Sequence, residues 1–354
     1  FYTDVADGTP AHAWGTTGSW QGESTDLGNY VTPSFSLAWD DGLFAGWSFG
    51  SEVGLLRRNG VDDWTSRVIP GTEATTNPQL SFAISGEVKL AYTEHIGGTL
   101  PPTFESNYWY VETVGGEWQA PIALDPDDES GRDLELVLGG AGADEPWVAF
   151  QRGQNYAINR FTARSGQVMY ARPDGLGGFE LELVDAGDNA PDSDCGKRLR
   201  QALGGDGHPR LAYLDLDASP DQPLGQLKFA RYTGTDWEIE VVQSFDLSFQ
   251  TSGEQFTWGE LSLVLQQGDQ PAIGILSRQT QGATPEMPHL AAPAVWFGSG
   301  IDWRRELVWD PEWVVPRDRE PCVLLETPGG ALHLLYAMSL TEGEALADRL
   351  VHMY

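Results

Sequence analysis

Short runs of apolar residues alternating with polar ones recur along the chain, each introduced by a Gly, Asp or Pro turn. One pattern shows best: DGLFAGW at Asp41–Trp47, GEVKLAY at Gly86–Tyr92, DEPWVAF at Asp144–Phe150, DGHPRLAY at Asp206–Tyr213, GDQPAIGI at Gly268–Ile275 and GGALHLLY at Gly329–Tyr336. Alternation with period two is the signature of a strand with one face buried. Each run ends in a pair with the larger residue last. A second strand follows each: EVGLLRR from Glu52, NYWYVE from Asn107, QVMYAR from Gln167, QLKFAR from Gln226, PAVWF from Pro293 and RLVHMY from Arg349. A third opens on an aromatic after a tight turn, at Trp64, Trp118, Phe179, Trp237 and Trp303. One more strand precedes the whole set, as in SFSLAW from Ser34, LSLVLQ from Leu261 and CVLLE from Cys322.

Four strands in fixed order, repeated at intervals of roughly 40–60 residues, form a unit that cannot bury its faces alone and must stack on its neighbours. The arrangement resembles the blades of β-propeller repeat proteins over nearly the whole chain. The resemblance implies an all-β, six-bladed β-propeller of four-stranded antiparallel blades, one domain over residues 1–354. The blades are expected at 31–71, 77–124, 132–186, 195–244, 259–309 and 321–354. The last stops at Tyr354 after its third strand. Trp20–Asp26, similar to the run from Trp237, is expected to supply the fourth and close the ring, removing open sheet edges. Asp7–Trp14 also resembles a strand of the repeat, which keeps a seven-bladed alternative open.

In such a unit the connections divide between the two ends of the strands. Those from first to second and from third to fourth strand are short here. Those from second to third strand, and from one unit to the next, are long: 93–106, 151–166, 214–225 and 277–293 within units, and 125–132, 185–194, 244–258 and 310–321 between them. Long loops on a rigid scaffold are where binding and catalysis concentrate. The asymmetry points to one functional face.

Composition sharpens this picture. The chain has 14 Trp, 14 Phe and 11 Tyr with 42 Gly and 22 Pro, which suits short strands and tight turns. Its 52 acids against 21 bases give a formal charge of −31, and only Lys89, Lys197 and Lys228 are lysines. Phosphate backbones and anionic membranes demand concentrated bases, so neither nucleic acid nor a membrane surface is expected as partner. No apolar stretch approaches the ~20 residues of a membrane-spanning helix. The chain opens at Phe1 without Met, and with the resemblance this leads to the expectation of an exported protein, either extracellular, periplasmic or surface-attached. Cys195 and Cys322 open first strands with a blade between them. Their expected separation exceeds the ~7 Å a disulfide spans, so two buried thiols are expected.

Three groups of residues carry candidate chemistry. Asp215, Asp217, Ser219 and Asp221 place oxygen side chains at alternate positions, as in the first half of a calcium loop. Pro220 stands where such a loop needs Gly, so an acidic surface turn is the competing reading. The acids 125–129 and Asp185, Asp188, Asp192 and Asp194 share this ambiguity. His95, with Tyr108 and Arg152 or Arg160, resembles the site of polysaccharide lyases built on propellers, in which a His/Tyr pair abstracts a proton beside a sugar carboxylate held by Arg. The competing reading is a loop histidine among strand aromatics. Tyr156, Trp258, Trp309 and Trp313 fall in long loops, where flat rings stack on sugars or anchor a protein partner, or else cover the blade tops.

No nucleophile elbow, HExxH, paired CxxC or phosphate loop is present, and the SxDxGxTW box of sialidases is missing from every unit. Two classes of function therefore remain. The leading expectation is a non-catalytic extracellular module that binds a glycan or protein through its long-loop face. The alternative is a carbohydrate-active enzyme, a lyase or hydrolase, using that same face.

Overall fold

The computed structural model describes residues 2–3, 10–16, 19–24, 34–39, 43–49, 52–60, 63–72, 79–96, 105–125, 133–140, 144–153, 166–187, 193–217, 224–246, 258–279, 290–298, 302–307, 322–327, 330–342 and 345–353. These residues form strands and turns with no helix among them. The N-terminal strands are β1 (Tyr2–Thr3), β2 (Pro10–Thr16) and β3 (Ser19–Ser24). The first full meander is β4 (Ser34–Trp39), β5 (Leu43–Phe49), β6 (Glu52–Gly60) and β7 (Asp63–Val68). The second is β8 (Leu80–Ser85), β9 (Glu87–Ile96), β10 (Glu105–Val114) and a fourth strand split into β11 (Glu117–Trp118) and β12 (Ile122–Ala123). Pro121, which has no N–H for a ladder, stands at that split.

The third comprises β13 (Leu134–Gly139), β14 (Glu145–Gly153), β15 (Gly166–Pro173) and β16 (Phe179–Asp185). The fourth comprises β17 (Ser193–Leu203), β18 (Pro209–Asp217), β19 (Leu224–Tyr232) and β20 (Trp237–Asp246). The fifth is β21 (Trp258–Gln266), β22 (Gln270–Gln279), β23 (Leu290–Gly298) and β24 (Trp303–Leu307). The last has three strands, β25 (Cys322–Glu326), β26 (Leu332–Glu342) and β27 (Ala345–Met353). The four-strand repeat read from the sequence is thus the repeat of the fold.

The Trp20 segment, β3, pairs antiparallel with β2, and β2 with β1, in a three-stranded sheet. β2 and β3 are joined by two residues, so their ladder forms with little loop-closure cost.

The chain divides into two compact units. The first takes Phe1–Leu138, Asp144–Thr162 and Met169–Glu182; the second takes Gly139–Ala143, Ala163–Val168 and Leu183–Tyr354. Each is held by apolar clusters between successive meanders. In the first, Val53, Leu55 and Ile69 pack with Leu80, Phe82, Leu90 and Tyr92, and Ala91, Tyr108 and Tyr110 pack with Leu134, Leu136, Val148 and Phe150. In the second, Ala212, Leu214, Leu227 and Phe229 pack with Leu261, Leu263, Ile273 and Trp296.

The smaller member of each terminal pair has a packing role. Ala91 shares an apolar cluster with Leu134 and Leu136, and Ala212 with Leu261 and Leu263, of the first strand of the following meander. At Gly46 the fit is tightest. A Cβ there falls 2.5 Å from Leu80 Cδ1 and 3.0 Å from Phe82 Cδ1. The strand bounds also reproduce the asymmetry of the connections. Leu203 to Pro209 and Tyr232 to Trp237 are tight, whereas Gly153 to Gly166 and Asp246 to Trp258 are long. The first and last meanders differ, turning from Phe49 to Glu52 and from Glu342 to Ala345 at the end where the middle meanders carry long loops.

Gly46→Val is expected to destabilise the protein by about 1–3 kcal/mol through overpacking. A urea titration monitored by tryptophan fluorescence checks this; an unchanged midpoint would contradict the packing described.

Candidate functional site

In the fourth meander the second and third strands are antiparallel, with Tyr213 directly opposite Lys228. Opposed residues share a face, and Asp215, two positions beyond Tyr213, lies on it too. Lys228 Nζ donates to Asp215 Oδ2 at 2.7 Å and to Asp185 Oδ2 at 3.1 Å. Asp185 ends β16. Its Oδ2 also accepts from the Tyr213 hydroxyl at 2.7 Å, and its Oδ1 accepts from Gly187 N at 2.8 Å. Cys195, a buried free thiol, completes the group, with Sγ and the two carboxylates within 4.8 Å of one another. The Lys228 side chain is 2% exposed and that of Asp215 3%.

Position in the strands sets where this cluster lies. Asp185 ends a fourth strand, Cys195 is near the start of a first, and Asp215 is near the end of a second. All three are at the strand ends that bear the long connections.

The electrostatics follow from burial and pairing. Burial alone would raise the pKa of Asp185. The hydrogen bonds from Tyr213 and the Gly187 N–H, with the Lys228 charge, outweigh it and hold the carboxyl below the ordinary aspartate range. Burial pushes the Cys195 thiol well up, and the Asp215 and Asp185 charges add to this, so the group stays protonated. Tyr213 is likewise raised, by burial first and then by Cys195 and Asp185. Three such ligand atoms in one place resemble a metal site, but the Lys228 ammonium bonds to both carboxylates and supplies the positive charge.

The repeat shows how unusual Lys228 is. The residue opposite Trp47 is Gly54, opposite Tyr92 is Trp109, opposite Ile275 is Ala294 and opposite Tyr336 is Val351. In the third meander the match of QVMYAR to QLKFAR puts Met169 there. Only the fourth meander carries a charge at this position. A buried ion triad rarely outperforms well-packed apolar side chains in stability. Ionisable groups gathered at that cost, at strand ends that bear the long connections, make this the candidate functional site.

The strand over the cluster is distorted. β17 pairs with β18 through two register shifts, between Cys195 and Lys197 and between Lys197 and Arg200. Gly196 has φ +93° and Arg198 has φ +56°. A non-glycine residue in the left-handed region costs about 1–3 kcal/mol, and such strain and bulges gather at working sites. Lys197 Nζ pairs with Asp194 Oδ2 at 2.6 Å, and Arg200 Nε donates to Leu261 O at 2.8 Å.

The structure disperses the residues singled out from the sequence. Tyr108 is buried, donates its hydroxyl to the Gln151 carbonyl, and has its pKa pushed well up by burial, then by Asp133 and Asp125. It is unsuited to take a proton. Arg152 Nε is 3.0 Å from the buried Asp125 Oδ2. Its charge is committed there and not to a substrate anion. His95 pairs through its backbone with Ser106 near the end of β9, and its side chain is outside the described residues. Burial thus claims Tyr108, and Asp125 claims Arg152.

Asp215 is a strand residue whose carboxylate accepts from Lys228. Asp217 closes the same strand and its side chain is outside the described residues, as are Ser219 and Asp221. Trp258 opens β21 opposite Ser277, with its side chain undescribed; Tyr156, Arg160, Trp309 and Trp313 also lie outside the described residues. So does the Cys322 side chain.

Lys228 was the residue to find, and its signal was a charge in an apolar column of the repeat. A second signal was an aspartate ending the fourth strand: Ala-Leu-Asp at 123–125 and Leu-Val-Asp at 183–185, continued as Ser-Phe-Asp at 244–246 and Val-Trp-Asp at 308–310. Asp125 and Asp185 do the same job. Each pairs with a cation on the following meander, Arg152 or Lys228.

Lys228→Met, which installs the residue of the third meander, is expected to cost about 3–5 kcal/mol because Asp185 and Asp215 lose their counter-charge. Replacing all three as Asp185→Val, Lys228→Met and Asp215→Leu restores most of that loss. Asp185 titrates below the ordinary aspartate pKa of ~3.9, so its stabilisation is complete above that value and lost as pH falls through the lower folded one. The triple variant lacks that part of the acid-unfolding limb. Denaturant titrations from acid to neutral pH measure both effects; a Lys228→Met protein as stable as its parent would contradict them.

No protein-family model matches the chain, and no curated protein matches it in sequence. Solved structures do. An ulvan lyase, a polysaccharide lyase bound to -[GlcA(1-4)Rha3S]-, aligns at TM-score 0.51 and 12% identity, covering 94% of this chain and 84% of that one. The α-L-arabinofuranosidase of Fusarium graminearum with an iminosugar inhibitor aligns at TM-score 0.51 and 10% identity, covering 91% and 92%. A protein of unknown function from Dyadobacter fermentans aligns at TM-score 0.51 and 9% identity, covering 90% and 92%. At these identities the likeness shows the fold, which is all-β and of propeller type. Two of the three are carbohydrate-active enzymes by name. They correct the leading expectation of a non-catalytic binding module and put the enzyme alternative ahead of it.

Proposed function

We propose that this chain is a carbohydrate-active enzyme that cleaves a polysaccharide outside the cell, with its site at the loop-bearing end of the fourth meander. The observation that carries the reading is the pair of carboxylates, Asp185 and Asp215, gathered around the buried Lys228. Glycosidic cleavage passes through an oxocarbenium-like transition state and relies on paired carboxylates. Their oxygens lie within 4.8 Å of one another.

The two acids have different roles. Asp185 is held ionised by Tyr213, Gly187 and Lys228, so it does not donate a proton to a leaving group. It positions Lys228 and adds negative charge beneath the site. Asp215, next to the loop-bearing end of its strand, is 3% exposed and bonded to Lys228, so its assigned role is to stabilise the oxocarbenium-like transition state by its charge from beneath the sugar. Hydrolysis is favoured over elimination because carboxylates converge here, whereas Tyr108 and Arg152 are committed elsewhere.

The purified protein is expected to shorten at least one polysaccharide in a panel that includes ulvan and arabinan. New reducing ends without the ultraviolet absorbance of an unsaturated uronate mark hydrolysis. Asp215→Asn lowers kcat by at least about a hundredfold while the protein stays folded. Full activity of Asp215→Asn, or no shortening of any polysaccharide, would contradict the proposal; unsaturated products would replace hydrolysis by elimination.

A further inference from the structure

We infer that Gln226 is a specificity-determining residue of the fourth meander, its side-chain amide bonding a hydroxyl of the sugar that lies over Asp215. The inference rests on the reading of this meander as a glycan-cleaving site and adds to it the residue that reads the sugar.

Strand register is the first ground. Gln226, the third residue of β19, stands directly opposite Asp215 on β18 and Ser244 on β20. Asp215 in turn stands opposite Cys195 on β17. Opposed residues share a face of the sheet, and Lys228, two positions along the strand, shares it too. Gln226 is thus level with Asp215 and nearer than Lys228 to the end that bears the long connection. A sugar placed over the Asp215 charge comes beside this amide.

Hydrogen bonding is the second ground. Gln226 is half-buried, and its Oε1 is covered with no donor among the described residues within hydrogen-bond distance. The donors nearby serve the carboxylates: Lys228 bonds to Asp215 and Asp185, and Tyr213 to Asp185. A covered amide oxygen without a donor costs stability and calls for an explanation. A sugar hydroxyl supplies the missing donor, and its lone pairs can accept from the amide NH2. The amide is neutral, so it recognises the position of a hydroxyl where Asp215 acts by charge. A site built to bond a hydroxyl rejects an analogue without it far more strongly than an apolar pocket rejects an extra methylene.

The second meander supplies a comparison. Asn107 holds the same place, opposite Glu94 on β9, and its Oδ1 is likewise covered without a donor among the described residues. The residue two positions on is Trp109, which donates to Glu94, where the fourth meander has Lys228. Asn107 therefore shares the orphaned oxygen of Gln226 and lacks the buried carboxylate pair around a lysine.

Affinity electrophoresis of the full-length protein tests the inference, with arabinan and ulvan as separate probes in the gel, each native and O-methylated. Gln226→Met keeps an unbranched side chain and removes both polar atoms. At least one native polymer is expected to retard the parent, and Gln226→Met to raise the Kd for it by about tenfold or more. O-methylation of that polymer brings the parent's retardation down to the variant's, because the hydroxyl donors are gone. Asn107→Leu is retarded like the parent. The melting temperature of Gln226→Met is expected to match or exceed the parent's, since a covered oxygen without a donor has been removed. Equal retardation of parent and Gln226→Met, or no retardation of the parent by either native polymer, would overturn the inference. So would a Gln226→Met protein that melts well below its parent, or an equal loss of retardation in Asn107→Leu. Equal retardation with cleavage intact leaves the proposed function standing; retardation that depends on Gln226, with no polysaccharide shortened, sinks that function and keeps the contact.

Discussion

The Lys228 ammonium, shared between Asp185 and Asp215, is the interaction on which the second unit's site depends. Each group alone would be expensive at this depth. A buried carboxylate without a partner costs several kcal/mol, and so does a buried ammonium. Together, with Tyr213 and the Gly187 N–H filling further hydrogen-bonding positions, they hold one another in a fixed arrangement. The arrangement in turn fixes strand ends. Asp185 ties the end of β16 to β18 and β19, and Cys195 brings in the distorted start of β17. Four segments that carry long connections are joined through one charge.

The surrounding repeat explains why the cluster tolerates its cost. Around it, Leu214, Leu227, Phe229 and Ala212 pack with the next meander's Leu261, Leu263, Ile273 and Trp296. Such burial contributes about 25 cal/mol for each Å² of apolar surface removed from water, so a few large side chains offset a buried charge network. Regular meanders secure the fold, and one irregular position within them supports the chemistry. The same logic applies to β17, where Arg200 braces a bulge that places Lys197 and Arg198 off the normal alternation.

Much of the scaffold was legible in the sequence because period-two alternation and turn residues are local signals. The runs ending in Ala91–Tyr92 and Ala212–Tyr213 located second strands, and the aromatic starts at Phe179 and Trp237 located fourth strands. The site was less legible. Asp185 and Asp215 were visible as acids, but their convergence on Lys228 depends on strand register and on a contact between meanders. Tyr108 and Arg152 looked available because sequence does not show that Gln151 O and Asp125 already hold them. The composition of one column, apolar in five meanders and lysine in the fourth, held the information.

The central claim is that a glycan is engaged at the loop-bearing end of the fourth meander, over the Asp185–Lys228–Asp215 cluster. Hydrogen exchange followed by mass spectrometry, with and without the best-binding oligosaccharide, tests it most directly. The account predicts protection concentrated in residues 193–200 and 213–217, with no change in the tight turns at 204–208 and 233–236 of the same meander. Protection confined to those tight turns, or absent from the fourth meander altogether, would contradict it.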